Sequence, residues 1–307
     1  MTRGFIARLD DRGVVSVSGP DAAKLLQGVI TNDLETITID RALFAGLLSP
    51  QGKVLFDFII TRKYSAVEGQ PDTAEDVYYL DVALDQAPAL AKRLAMYKLR
   101  ANAEIEDESE TAQVLAMWGD GPSFNCVLGT PDPRLKDLGL RGIGSKRFVK
   151  DDISCSTGAE VSADAYHAHR IALGVPEGGK DYAWAGAFPH EALFDQLNGV
   201  SFTKGCYVGQ EIVSRMEHRG TARARIVKVG MPGGVPPAGT PVMGGEVAIG
   251  SAGSSQGEKG LALVRLDRLA DFNDRGIAIK ISGAPATLSL QDWVTYALSD
   301  YTRTAHL

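Results

Sequence analysis

Apolar and polar positions along this chain fall into short blocks whose spacing changes along its length. Gly13 to Ser18, GVVSVS, has the alternation of a strand, and the GPDAAKLLQGVI that follows has helical spacing, with Pro20 in its first turn and Leu25, Leu26 and Val29 on one side. Two apolar runs, ALFAGLLS and KVLFDFIIT, flank Pro50, Gln51 and Gly52, and that proline-glycine pairing predicts a hairpin. DVYYLDV predicts another strand, and DQAPALAKRLAMYKLRA a helix with Leu90, Leu94 and Tyr97 on one face. AEIEDESE predicts a strand running into a solvated acidic loop, and VLAMW a further strand. Residues 119–144 are rich in Gly, Pro and Asp, which makes them the expected seam between two similar halves. RFVK at 147–150 predicts a short strand, and SADAYHAHRIAL from Ser162 a helix. Residues 174–200, with five glycines and two prolines, lack periodicity, and an irregular stretch of that length inside a compact domain is commonly functional.

Past Gly220 the pattern changes to short alternating runs with Gly and Pro turns every few residues, which predicts a small all-β unit, a barrel. The expected organisation is therefore a region 1–220 of two α+β subdomains and a β-barrel domain 221–307. The 307 residues have ample material for a core, and a net charge of −6 argues against a broad phosphate-tracking surface, so no direct nucleic-acid partner is expected. Three cysteines, Cys126, Cys155 and Cys206, are an odd number without a CxxC pair, which suits a reducing compartment and leaves no self-contained zinc or iron–sulfur motif visible. No apolar run reaches the length of a bilayer span, and the first residues lack a signal-peptide core; a cytoplasmic protein without a membrane partner is the expectation.

The chemistry concentrates in Ser201 to Gly220, SFTKGCYVGQEIVSRMEHRG. A helix is expected from about Gly209 to Gly220, which places Cys206 in a turn before a helix N-terminus, where Lys204 and the helix dipole favour thiolate. The alternative is a small buried thiol, disfavoured by the Lys, Gly, Gln and Glu around it. Gln210 and Glu211 add polar groups beside the cysteine. Asp57 stands inside an apolar strand, where a carboxylate must be paired or face a pocket. Arg100 reads equally as a helix-end charge and as an anion ligand. His190 and Glu191 draw attention because they sit in the long irregular stretch. Thr31, Asn32 and Asp33 form either a helix-terminating turn, the favoured reading, or the polar edge of a cleft. His167 and His169, two apart on a helix, cannot share a metal and are read as surface or capping residues; Cys126 is assigned no role.

KGCYVGQE, preceded by NGVSFT and followed by a basic helix ending in HRG, resembles the signature of the YgfZ family of folate-binding proteins that act in iron–sulfur cluster assembly. HRIALGVPEG is most similar to the mitochondrial branch of that family, and VVSVSGPDAAKLLQGVITND, LLSPQGKVLFDF and YKLRANAEI occur in the expected order. These last segments are shared with the aminomethyltransferase of glycine cleavage. The resemblance implies an α+β aminomethyltransferase-like fold, three subdomains in a ring around an opening that takes tetrahydrofolate. It implies Cys206 and Lys204 as the reactive pair, Cys206 as a possible shared cluster ligand, and Asp57, Arg100, Glu191, Gln210 and Glu211 as cofactor-binding residues. Two departures stand out: Phe56 replaces the first of the enzyme's two adjacent acids, and Ala172 stands where its pterin-contacting glutamate would be. The implied function is a folate-dependent accessory factor in the assembly, insertion or repair of [4Fe–4S] clusters, partnered by assembly or carrier proteins and cluster-containing enzymes. The alternative is a folate-dependent one-carbon transferase with Asp57 as its general base or charge stabiliser.

Overall fold

The computed structural model describes residues 4–67, 70–120, 129–148, 150, 151, 153, 158–220 and 222–301, with 64–67, 70–75 and 219 described by backbone alone. The chain forms two compact units, Met1–Tyr166 with Leu197–Gln210, and His167–Gln196 with Glu211–Leu307. Cys126 and Cys155 lie outside the described residues.

The first unit contains β1 (Phe5–Leu9), β2 (Arg12–Ser18), α1 (Ala22–Val29), β3 (Leu43–Leu48), β4 (Val54–Val67), β5 (Gln70–Ala83), α2 (Ala87–Lys98), β6 (Glu104–Asp107), β7 (Ala112–Trp118), β8 (Gly129–Pro131), β9 (Leu140–Ser145), β10 (Ala159–Val161) and the start of α3 (Ala163–Leu173). One sheet has the order β3-β4-β5-β2-β6 and the other β10-β1-β7-β9-β8. Strand β2 explains how the two share a unit. Its side chains alternate, so Val15 and Val17 enter the core with Leu25 and Leu26 of α1 and Leu90 and Leu94 of α2, while Val14 enters the core with Val114 and Ala116 of β7. The predicted hairpin joins β3 to β4 through Gly52 at φ 77°, with Gly52 N–H bonded to Ser49 O. Of the strand expected at 147–150, the described residues Arg147 and Phe148 lie in a turn that Phe148 N–H closes on Ser145 O, after β9 has ended.

Charged side chains of this unit form one buried network. Arg12 donates to Asp81 at 2.6 Å, Arg134 forks onto Asp132 at 3.0 and 2.7 Å, and Arg141 Nε lies 3.4 Å from Asp81; Arg134 and Arg141 both donate to the Tyr166 hydroxyl. Burial pushes the Asp132 carboxyl up, but Arg134 and Arg141 outweigh it and hold its pKa below the usual range.

The second unit contains most of α4 (Gln210–Arg219), then β11 (Ala224–Gly230), β12 (Pro241–Gly244), β13 (Val247–Gln256), β14 (Lys259–Arg265), α5 (Leu266–Asp274), β15 (Ile279–Ile281), β16 (Ala284–Pro285) and β17 (Thr287–Ser289). The strands pair antiparallel in the order β16-β15-β12-β13-β14-β11-β17 around one core of Val227, Val229, Val242, Ile249, Val264 and Phe272. Helix α5 departs from the all-β expectation: Leu266, Leu269, Ala270 and Phe272 are buried, and Phe272 lies so close over Gly244 that a side chain there would collide with its ring. Arg170 of α3, fully buried, is the polar centre of the unit. It bonds to His167 Nδ1, Val175 O, Asp181 Oδ2 and Ser254 Oγ at 2.9–3.1 Å, and to Glu177 at 3.1 Å. His167 is thus a half-buried partner of this arginine rather than a surface residue.

Candidate functional site

Cys206 is exposed, and the segment that carries it is fastened to the first unit on both sides. Upstream, the Thr31-Asn32-Asp33 turn acts as a clasp. Thr31 Oγ1 donates to Gly199 O at 2.6 Å and accepts from Gly46 N–H at 2.8 Å, Asn32 Nδ2 donates to Asn198 O and Phe44 O, and Ser201 N–H reaches Thr31 O at 3.0 Å. Downstream, Gly209 sits at φ 84°, and a Cβ there would fall 2.7 Å from Ser49 O and 3.1 Å from Gly52 Cα. Only glycine allows the chain to pass that close to the β3–β4 hairpin. The helix expected from about 209 to 220 forms as α4, with Gly220 at φ 56° behind it.

Lys204 is the third fastening. Its Nζ donates to three carbonyls, Gln27 O at 2.7 Å, Ile30 O at 2.9 Å and Asn32 O at 2.8 Å, and lies 5.3 Å from the centre of the Tyr207 ring. Burial lowers its pKa to about 8, with Asp33 pulling in the opposite direction. Between Lys204, 8% exposed, and Tyr207, 7% exposed, stand only Gly205 and Cys206, both exposed. The chemical result is a thiol held out at a fixed place by a short, pinned loop.

This thiol borders a cleft of about 750 Å³ lined by Lys24, Gln27 and Gly28 of α1, Leu34, Glu35, Arg62 of β4, Tyr78 of β5 and the 204–206 turn. A second cleft of about 630 Å³ is lined by Asn32 and Asp33, Asp40, Arg41, Phe44, Asp132, and Ser201 to Thr203. The clasp therefore serves both readings of the TND sequence: Asp33 accepts from Glu35 N–H as a cap, and the turn also edges a cleft. Gln27, Arg62 and Tyr78 were not singled out from sequence, since nothing local marks three residues so far apart as neighbours.

The remaining expected residues lie elsewhere. Asp57 is buried in β4, opposite Gly46. Arg100 is exposed in the turn after α2. Gln210 opens α4, its N–H on Tyr207 O, and Glu211 is exposed and paired with Arg215 at 2.7 Å. In the second unit, Glu191 accepts from Phe188 N–H at 2.7 Å and lines a cleft of about 400 Å³ with Ile212, Met216, Arg223 and Arg265. Its neighbour His190 is buried with Nε2 3.0 Å from Glu217. Arg225 there donates to both Asp195 oxygens and to His190 O.

A folate-sized molecule fits the 750 Å³ cleft by volume but not by chemistry. A pterin edge needs a buried acceptor and donor pair. Gln27 has its amide committed to Asp33 and to Leu34 N–H, Arg62 is forked onto Asp76, and Glu35 is exposed. Asp57 has the carboxylate such a ring requires, and it is not part of that lining.

A family model described as "CAF17, C-terminal beta-barrel domain" matches residues 223–296. Among curated proteins the chain is similar to the mitochondrial iron–sulfur cluster assembly factor IBA57 of Mus musculus, 33% identical over 293 residues, 85% of this chain and 78% of that one. The human protein of the same name is 31% identical over 288 residues, with the same coverages. A homologue from Mycosarcoma maydis is 34% identical over 245 residues, 76% of this chain and 59% of its own length. The chain spans little more than half the length of that and other fungal relatives. Among solved structures it is similar to glycine cleavage system aminomethyltransferase T from Bartonella henselae, with a TM-score of 0.71 over 95% of this chain and 86% of that one at 14% identity. The fold is accordingly aminomethyltransferase-like α+β with a C-terminal β-barrel, as the resemblance implied. The expectation of a cytoplasmic protein is corrected: these curated relatives are all named as mitochondrial. No helix among the described residues is long and apolar enough to cross a membrane.

Proposed function

We propose, because the chain belongs to the family of the iron–sulfur cluster assembly factor IBA57, that it serves in the assembly of iron–sulfur clusters and that Cys206 is the group that meets the cluster or its sulfur. The observation that carries the second half is the presentation of that thiol: exposed, on a two-residue tip pinned by Lys204 and Tyr207, at the edge of an open cleft. One thiolate cannot hold a cluster, which takes about four cysteine-type ligands, so Cys206 acts with ligands of a partner, an assembly or carrier protein or the receiving enzyme. An exposed thiol on a short tether suits that task because a partner's ligands can approach it without the loop having to unfold.

The role of a folate is a separate part of this reading. Asp57, buried in β4 outside the cleft beside Cys206, is the carboxylate that would accept hydrogen bonds from a pterin. Loss of tetrahydrofolate binding in Asp57→Asn, in a titration of purified protein, is the expected result; undiminished binding removes Asp57 from the site. Likeness of fold to an aminomethyltransferase does not carry that enzyme's reaction, and one-carbon transfer is not proposed.

The cluster reading is tested by expressing Cys206→Ser in cells lacking the native protein and measuring the activity of cluster-dependent enzymes. The variant should fail to restore them while accumulating to the normal level. Full restoration removes Cys206 from the mechanism.

A further inference from the structure

The geometry assigns Lys204 a positioning role: it acts on Cys206 by fastening the loop to the end of α1, not by exchanging charge or a proton with the thiol. A lysine two residues before a cysteine invites the opposite reading, in which the ammonium keeps the sulfur ionised. The tertiary structure directs the ammonium elsewhere. An α-helix leaves its last carbonyls without intrahelical donors. Here α1 stops at Ile30, which is extended, and Thr31 N–H, which would have returned to Gln27 O, goes instead to Gly46 O. Gln27 O, Ile30 O and Asn32 O are left converging on one point, and Lys204 Nζ occupies it at 2.7–2.9 Å from each. Three acceptors match the three protons of an ammonium, and a cation is favoured at a helix C-terminus.

The consequence for Cys206 follows from chain length. Nζ is fixed in the unit, Tyr207 is buried beneath it, and Gly209 is wedged against the β3–β4 hairpin. Release of Lys204 Nζ loosens the upstream half of this bracket, which keeps the Lys204 N–H to Ser201 Oγ bond and the Ser201 N–H to Thr31 O bond. The tip that carries Cys206 then gains freedom upstream of Gly205. The same three carbonyls explain why arginine is a poor substitute: a planar guanidinium is wider than an ammonium and its donors diverge in one plane.

The test needs no cluster, so its failure is distinguishable from failure of the proposed function. Lys204→Met and Lys204→Arg are prepared in the full chain, and Cys206→Ser supplies the background from the other cysteines. Two quantities are read: the pH midpoint of Cys206 alkylation, and the mobility of a nitroxide attached to Cys206. Positioning predicts that both variants mobilise the nitroxide well below the unfolding temperature. It also predicts about tenfold faster amide exchange over residues 30–34, with an alkylation midpoint within about half a pH unit of the parent in Lys204→Met. A midpoint raised by about one unit or more in Lys204→Met, with parental behaviour of Lys204→Arg in both readouts, overturns it in favour of electrostatic activation. If Lys204→Met does not fold, Lys204→Arg decides alone, because it keeps the charge and changes only the fit. Nitroxide mobility equal to the parent's in Lys204→Arg then overturns the proposal.

Discussion

Thr31→Val offers the most exacting test of how the thiol loop is held. Thr31 is fully buried, and its hydroxyl is shared between two backbone groups, donating to Gly199 O at 2.6 Å and accepting from Gly46 N–H at 2.8 Å. Valine has the same branched shape, so little repacking is needed, while both backbone groups lose their partner inside the protein. Leaving one buried polar group unsatisfied costs about 1–3 kcal/mol, so two cost about 2–6 kcal/mol, reduced by about 0.8 kcal/mol for the added buried methyl. The neighbouring bonds, Thr31 N–H to Gly46 O and Ser201 N–H to Thr31 O, do not involve the side chain and should persist. The net loss, about 1–5 kcal/mol, corresponds to roughly five- to several-thousandfold faster native-state exchange at the Gly46 and Ser201 amides. Thr31→Ser is the companion: it keeps both hydrogen bonds and loses one methyl, at a cost of about 1 kcal/mol. If Thr31→Ser proves the more damaging of the two, the hydroxyl is not what fastens the loop, and the clasp argument fails.

Gly209→Ala should destabilise the first unit by about 1–3 kcal/mol through its φ of 84° and its approach to Ser49 O, whereas Gly205→Ala, whose added Cβ meets nothing within 4 Å, should stay within about 0.5 kcal/mol; urea unfolding compares them. Asp132, with its folded pKa depressed, contributes stability that is complete above its unfolded value of about 3.9 and is lost as pH falls through the folded value. Asp132→Asn should therefore be clearly less stable than the parent at neutral pH, with the difference shrinking below about pH 4, as measured by urea unfolding across a pH series. Arg170→Met, which takes the buried guanidinium from Asp181 and Glu177 and leaves Lys180 as the cation on Glu177 and neutral donors on Asp181, should cost about 3–5 kcal/mol in the second unit, and Arg170→Lys should recover only part of it.

Much of this architecture can be read from periodicity because the cores are simple. Strand β2 keeps period two from Val15 to Ser18, with Val14 breaking it because the opposite face meets a second core, and α1 and α2 show their buried stripes at Leu25, Leu26, Leu90 and Leu94. Helix α5 escaped that reading although Leu266, Leu269 and Ala270 are spaced for it, because the surrounding Gly- and Pro-rich turns signal strands and a nine-residue helix is short. At 147–150 the described residues Arg147 and Phe148 form a turn instead, for the complementary reason that β-propensity is expressed only where a neighbouring strand supplies hydrogen bonds, and β9 ends at Ser145.

The site divides in the same way. The sequence by itself determined that Cys206 is a thiol in a glycine-bounded turn ahead of a helix, and the KGCYVGQE run indicated the family to which the chain belongs. What Lys204 does was decided only by the tertiary structure. Its ammonium reaches carbonyls at positions 27, 30 and 32, more than 170 residues earlier in the chain, and no local pattern records that the end of α1 would lack donors there. Spacing along the chain sets which groups are available to a cysteine. Which of them turns towards it depends on where the unsatisfied hydrogen-bonding groups of the folded backbone lie, and here three carbonyls hold the lysine's ammonium.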